Sequence, residues 1–173
     1  MFRPFLLTFA ALLIVGCAAE AEEVELPPPT PALELTGRVV DAADLFDAQY
    51  EDGLTRKLGQ LEQDTQVQLV VATTPDLKGQ TIEQYSLDLA NAWGIGSVER
   101  DDGLLLLVAP TERRVRIEVG YGLEASVKDE EAAQIIQDDI LPHFRKGDFE
   151  VGVAEGVDSL IREVTPIELK EAA

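Results

Sequence analysis

Val67 to Ala72 and Gly103 to Ala109 are short, almost unbroken apolar runs, and they constrain the fold more than any other feature of the chain. Each is too short and too continuous to be the apolar stripe of a surface helix, so each reads as a strand buried on both faces. Such strands must be covered from above and below, which commits the chain to an α/β domain.

The flanking segments supply the cover. Asp47 is placed to cap a helix in which Tyr50, Leu54, Leu58 and Leu61 recur at helical spacing. Thr81 opens a second helix, with Ile82, Tyr85, Leu89 and Trp93 on one face and Gly94 as its terminator. Two more are predicted over Asp129 to Phe144 and Phe149 to Val164, with Asp129 and Asp148 as caps. Arg38-Val39-Val40 is a short strand candidate. After the turn Pro110 to Arg113, Val115, Ile117 and Val119 alternate with Arg114, Arg116 and Glu118, as in a strand with one wet face or a free edge. The order predicts a short mixed sheet with helices on both faces.

The chain divides into four parts. Residues 1–16 have the layout of a lipoprotein signal: Arg3, the eleven-residue apolar run Phe5 to Val15, then Gly16 before the only cysteine, Cys17. The run is far short of the ~20 residues that a spanning helix needs and matches a cleaved secretory leader. Cys17 is therefore expected to carry the lipid rather than to act as nucleophile, metal ligand or disulfide partner. Residues 17–35 form a tether rich in proline and glutamate, without the means to build a core. Residues 36–165 are the folded domain and 166–173 an exposed tail.

The charge is −19, from 33 acidic and 14 basic side chains, and removal of Arg3 with the leader deepens it by one. That balance excludes a general nucleic-acid binder, which needs a basic surface. It also disfavours docking on anionic lipid, so the lipid chain must do the tethering. There is no P-loop, no free thiol and one histidine, His143, so nucleotide cofactors, zinc and most nucleophilic routes are disfavoured.

Six motifs stand in register between Arg38 and Arg162. They are Val40-Asp41-x-Ala43-x-Leu45-Phe46, Asp64-Thr65 before the first apolar run, and Trp93-Gly94-Ile95-Gly96. Then come Asp101-Asp102-Gly103, Arg113-x-x-Arg116-Ile117-Glu118-Val119-Gly120-Tyr121-Gly122-Leu123-Glu124, and Ile140-x-Pro142-x-Phe144-Arg145-x-Gly147-Asp148-Phe149. Together they resemble the TPM domain family. The resemblance implies a three-layer α/β/α sandwich of Rossmann-like appearance in a bacterial envelope or thylakoid lumen. It also implies calcium binding in some members, a weak acid phosphatase in a plant member, and roles in photosystem repair and receptor assembly. The commonest bacterial layout places a transmembrane segment and a glycine-rich tail after the domain, and here the anchor lies at the opposite end.

The acidic loops are the candidate site. If Gly103 to Ala109 and Arg114 to Val119 are antiparallel neighbours, Asp101, Asp102 and Glu124 meet at one end of the sheet. Asp41 and Asp44 join them if the first strand ends on that side. Several carboxylates with glycine-rich carbonyls suit calcium, which takes six to eight oxygens; equally, Asp-Asp-Gly is ordinary turn chemistry. Arg113, Arg114 and Arg116 can steady an anion or pair with Glu112 and Glu118, the second being the default. Trp93 reads as core packing at a helix end, and Tyr121, between glycines, as the neighbour of a cleft.

The leading expectation is a lipid-anchored, periplasm-facing envelope module, at the outer membrane because Ala18 follows the cysteine. It is expected to bind calcium and an envelope protein. The alternative is a metal-assisted phosphomonoesterase with Asp102 as its catalytic carboxylate.

Overall fold

The computed structural model describes residues 32–165. The leader, Cys17, most of the tether and the tail 166–173 lie outside those residues. The elements run β1 (Val39–Asp41), α1 (Ala48–Thr65), β2 (Gln68–Thr73), α2 (Ile82–Trp93), β3 (Gly103–Ala109) and β4 (Arg114–Val119). A 3-10 turn follows (Tyr121–Leu123), then α3 (Asp129–Gln134), a π-helical stretch (Ile135–Ile140), α4 (Leu141–Phe144) and α5 (Phe149–Val164).

The sheet order is β1-β2-β3-β4. β1, β2 and β3 are parallel, with Asp41 beside Thr73 and Thr73 beside Val108, whereas β4 is antiparallel to β3 with Ala109 opposite Arg114. The first three strands thus share a carboxyl end, and Pro110 to Arg113 turns back from it. β3 is buried at every position, as its apolar run requires.

Alternate side chains of the strands enter two cores. Leu69, Val71, Leu104, Leu106 and Val108 pack with Leu58 of α1, Ile135 and Ile140, and Val157 and Leu160 of α5. Val70, Ala72, Leu105, Leu107 and Ala109 pack with Ile82, Tyr85 and Leu89 of α2. The molecule is therefore a three-layer α/β/α sandwich, with α2 the one helix among the described residues on the second face. The caps on α1 and α2 are those expected: Tyr50 N–H donates to Asp47 Oδ1 at 2.7 Å and Gln84 N–H to Thr81 Oγ1 at 3.3 Å.

Three expectations change. The helix predicted from Asp129 to Phe144 is π-helical in its middle, so that Leu141 N–H reaches Ile136 O. Pro142, which lacks an N–H and crowds the carbonyl four residues back, gives the wider turn its physical reason. At the start of α3, Asp129 is not the cap; Glu131 reaches back instead and accepts from Lys128 N–H at 2.7 Å. Asp148 occupies the N-cap position of α5 without a side-chain cap bond. Trp93, half-buried at the end of α2, packs against the second core as expected, and its indole N–H donates to Leu33 O at 2.9 Å, which ties the end of the tether to α2.

Candidate functional site

The parallel run of β1, β2 and β3 decides which acidic residues meet. Asp101 and Asp102 precede β3 and lie at its amino end, where β4 finishes and Glu124 follows. Asp41 ends β1 and so lies at the carboxyl end, with Asp44 in the loop beyond it. At ~3.3 Å per residue, the length of β3 separates the two groups by about 20 Å. The condition for a five-carboxylate site is not met, and the residues form two sets.

At the amino end, glycines bring three backbone segments into contact. A Cβ on Gly96 would lie 2.5 Å from Gly103 N, one on Gly103 2.3 Å from Ile95 O, and one on Gly120 2.2 Å from Asp101 O. A Cβ on Gly122 would lie even closer to Arg100 O. No side chain fits at any of the four. Gly120 N–H donates to Gly103 O at 2.9 Å and Gly122 N–H to Asp101 O at 3.0 Å, which locks the turns together.

Asp102 is buried within this knot. Its Oδ1 accepts from Ser97 N–H at 2.8 Å, and its Oδ2 from the Arg100 guanidinium at 2.5 Å. Burial alone would raise its pKa, but the bonds from Ser97 and Arg100 outweigh that and hold the carboxyl below its usual range. Both oxygens are thus engaged in holding the Ser97–Asp102 turn. Asp101 is exposed in a left-handed conformation (φ 50°), and Glu124 is exposed as well. Beside them stand two bare apolar side chains: Val98 is 99% exposed and Tyr121 81%. Tyr121 sits on the rim of the knot rather than in a cleft.

At the carboxyl end Asp41 is also engaged. Its Oδ2 accepts from Phe46 N–H at 2.9 Å and its Oδ1 from the Thr73 hydroxyl. Asp44 is exposed with φ 55°. The pKa of Glu51 is raised, first by burial and then by repulsion from Asp41, Asp52, Asp44 and Asp47.

A calcium ion takes six to eight oxygens. Asp101 and Glu124 offer the only uncommitted carboxylates of the predicted set at the amino end, and the Asp101 and Gly103 carbonyls there accept backbone bonds. Among the described residues no three His, Cys, Asp or Glu side chains converge as a cage. Two uncommitted carboxylates fall short of a dedicated calcium centre.

The basic cluster also divides. Arg116 pairs with Glu118 at 3.1 Å, as expected, and Glu118 accepts from the Ser86 hydroxyl at 2.8 Å. Glu112, the other expected partner, instead accepts from Leu77 N–H at 3.0 Å. Arg113 and Arg114 make no ion pair among the described residues. With Arg145 they line a cavity of about 600 Å³ at the carboxyl end of β3. Arg145 follows Phe144 in the last motif, but 32 residues of sequence hide that it borders the same cavity as Arg113.

The fold and this arrangement of motifs agree with the comparisons. The TPM domain family model matches residues 39–163. The chain belongs to the TPM domain family. Among solved structures, the N-terminal domain of a P. gingivalis protein is 35% identical with a TM-score of 0.69, over 74% of this chain and 82% of that one. The N-terminal domain of cg2496 from Corynebacterium glutamicum is 15% identical, with a TM-score of 0.59 over 79% and 84%. The BA42 protein of Bizionia argentinensis is 17% identical, with a TM-score of 0.59 over 69% and 81%. The last two share the fold. No curated protein matches the sequence. In this TPM domain all four knot glycines lie within motifs that carried the resemblance.

Proposed function

We propose that this TPM domain is a binding module, held through a lipid on Cys17 at the periplasmic face of the outer membrane, that docks an envelope protein on its glycine-knotted end. The observation that carries the reading is the exposure of Val98 and Tyr121 on a backbone that four close-packed glycines hold rigid. Aromatic and apolar side chains that need no ordering on binding are what a protein contact uses as anchors. Calcium belongs to the proposal as a weak ligand of Asp101 and Glu124, beside the anchors. The phosphomonoesterase reading rests on Asp102, whose two oxygens are occupied by Ser97 and Arg100, and the binding reading is therefore preferred.

A photo-crosslinking side chain placed at position 98 or 121 of the full-length lipoprotein tests this in intact cells. Discrete adducts are expected from both positions and not from position 78, an exposed site outside the knot. Adducts of equal yield from position 78, or none from 98 and 121, would refute it.

A further inference from the structure

The cavity at the other end of the sheet has a different chemistry. Its floor is Val108, Ala109 and Val115, where β3 turns back into β4, and its far wall is Leu141 with Phe144 and Phe149. The two aromatic rings stand 5.0 Å apart at 59°, so the wall is stiff and apolar. Arg113, Arg114 and Arg145 stand around it, all exposed. Among the described residues the lining contains no carboxylate, although the chain carries 33 acids against 14 bases. Of the nearby acids, Glu112 accepts from Leu77 N–H, Glu118 pairs with Arg116 and Glu150 accepts from Asp47 N–H at 2.8 Å, whereas Asp148, beside Phe149, makes no side-chain cap bond.

Two guanidiniums, Arg113 and Arg145, which make no ion pair among the described residues and border an apolar hollow, match one kind of ligand; Arg114, opposite Ala109, is turned toward α2 and the charge of Glu83. From this geometry we infer that the cavity binds a small organic anion: a compact anionic head, carboxylate or phosphate, on an apolar or aromatic body. The guanidinium fork pairs with two oxygens of either head, and the body lies against Phe144, Phe149 and Leu141. The volume is that of a small-molecule site. The lining holds no Ser, Thr, Cys, His, Asp or Glu. No group there can attack the ligand or activate water, so the site binds without turnover.

The test is calorimetry on the full-length chain in zwitterionic lipid nanodiscs, with empty discs as the blank. The probes are benzoate, phenyl phosphate, inorganic phosphate and benzyl alcohol. Benzoate, phenyl phosphate or both are expected to bind at least about tenfold more tightly than benzyl alcohol, because the neutral probe forfeits the charge-assisted bonds. Inorganic phosphate is expected to be weaker than phenyl phosphate, since it leaves the aromatic wall empty. The double variant Arg113→Gln with Arg145→Gln should lose about tenfold or more for the anions at an unchanged melting temperature. Equal binding of benzyl alcohol and the anions, unchanged affinity in the double variant, or no binding of either aromatic anion at millimolar concentration would overturn the assignment. So would release of phenol from phenyl phosphate that disappears in the double variant.

Discussion

Asp102 carries two duties that oppose each other electrostatically. Its place in the knot removes it from water, which disfavours its charge, while Ser97 N–H and the Arg100 guanidinium require that charge. Asp102→Asn keeps the volume and the bond from Ser97 but turns an amide toward Arg100. We expect a loss of roughly 1–2 kcal/mol at neutral pH, discounted because Arg100 is half in water. The pH dependence identifies the cause. The folded pKa is lowered, so the stabilisation is fully present above the unfolded value of about 3.9 and fades as the pH falls through the lower folded one. Urea unfolding of wild type and variant should therefore show a gap at pH 7 that closes on acidification. A gap that stays constant would mean that shape, not charge, holds the turn. The presence of Asp102 at this end was legible from the hairpin after β3, but its commitment was not, because Ser97 and Arg100 announce no pairing in the sequence.

Among the helices, α5 packs closely on the π-helical stretch and on α4. A Cβ on Gly156 would lie 2.6 Å from both Cγ1 and Cδ1 of Ile140, and one on Gly152 2.7 Å from the Phe144 ring. Ile140 is fully buried and cannot swing away. Gly156→Ala should therefore cost about 1–3 kcal/mol through overpacking, despite the better helix propensity of alanine. Ile140→Val removes one methylene at the point of conflict. In a double-mutant cycle the pair should be less destabilised than the sum of the singles; simple additivity by thermal unfolding would place the strain elsewhere. Helix and strand identities here followed from periodicity, since Val153, Val157, Leu160 and Ile161 leave no other reading. The π-helical turns did not, because Ile135 and Ile140 fit an ordinary helix nearly as well, and Pro142 marked the disturbance without saying how the chain would absorb it. The parallel direction of β1 was equally silent, and it is what parted Asp41 and Asp44 from Asp101.

For the whole molecule the governing quantity is charge. With 33 acids against 14 bases the folded state repels itself, and Glu51 registers that locally. Burial and then four neighbouring aspartates raise its pKa; its ionised form thus disfavours folding, a penalty that grows as pH rises through its titration and vanishes in acid. This is the opposite sign to Asp102. Screening should relieve the repulsion throughout, so the melting temperature of the full-length chain is expected to rise with sodium chloride. Calcium at matched ionic strength separates screening from binding. A ligand at ~100 times its dissociation constant adds roughly 2.7 kcal/mol, and a hydrated ion held by two carboxylates reaches that only at high concentration. We expect a calcium-specific rise, small at millimolar ion, that disappears in Asp101→Asn with Glu124→Gln and survives Asp44→Asn. Loss of the rise in Asp44→Asn alone would move the ion to the carboxyl end, beside Glu51. A rise equal to that of sodium chloride would reduce calcium to a screening ion and leave the knot as a purely protein-facing surface.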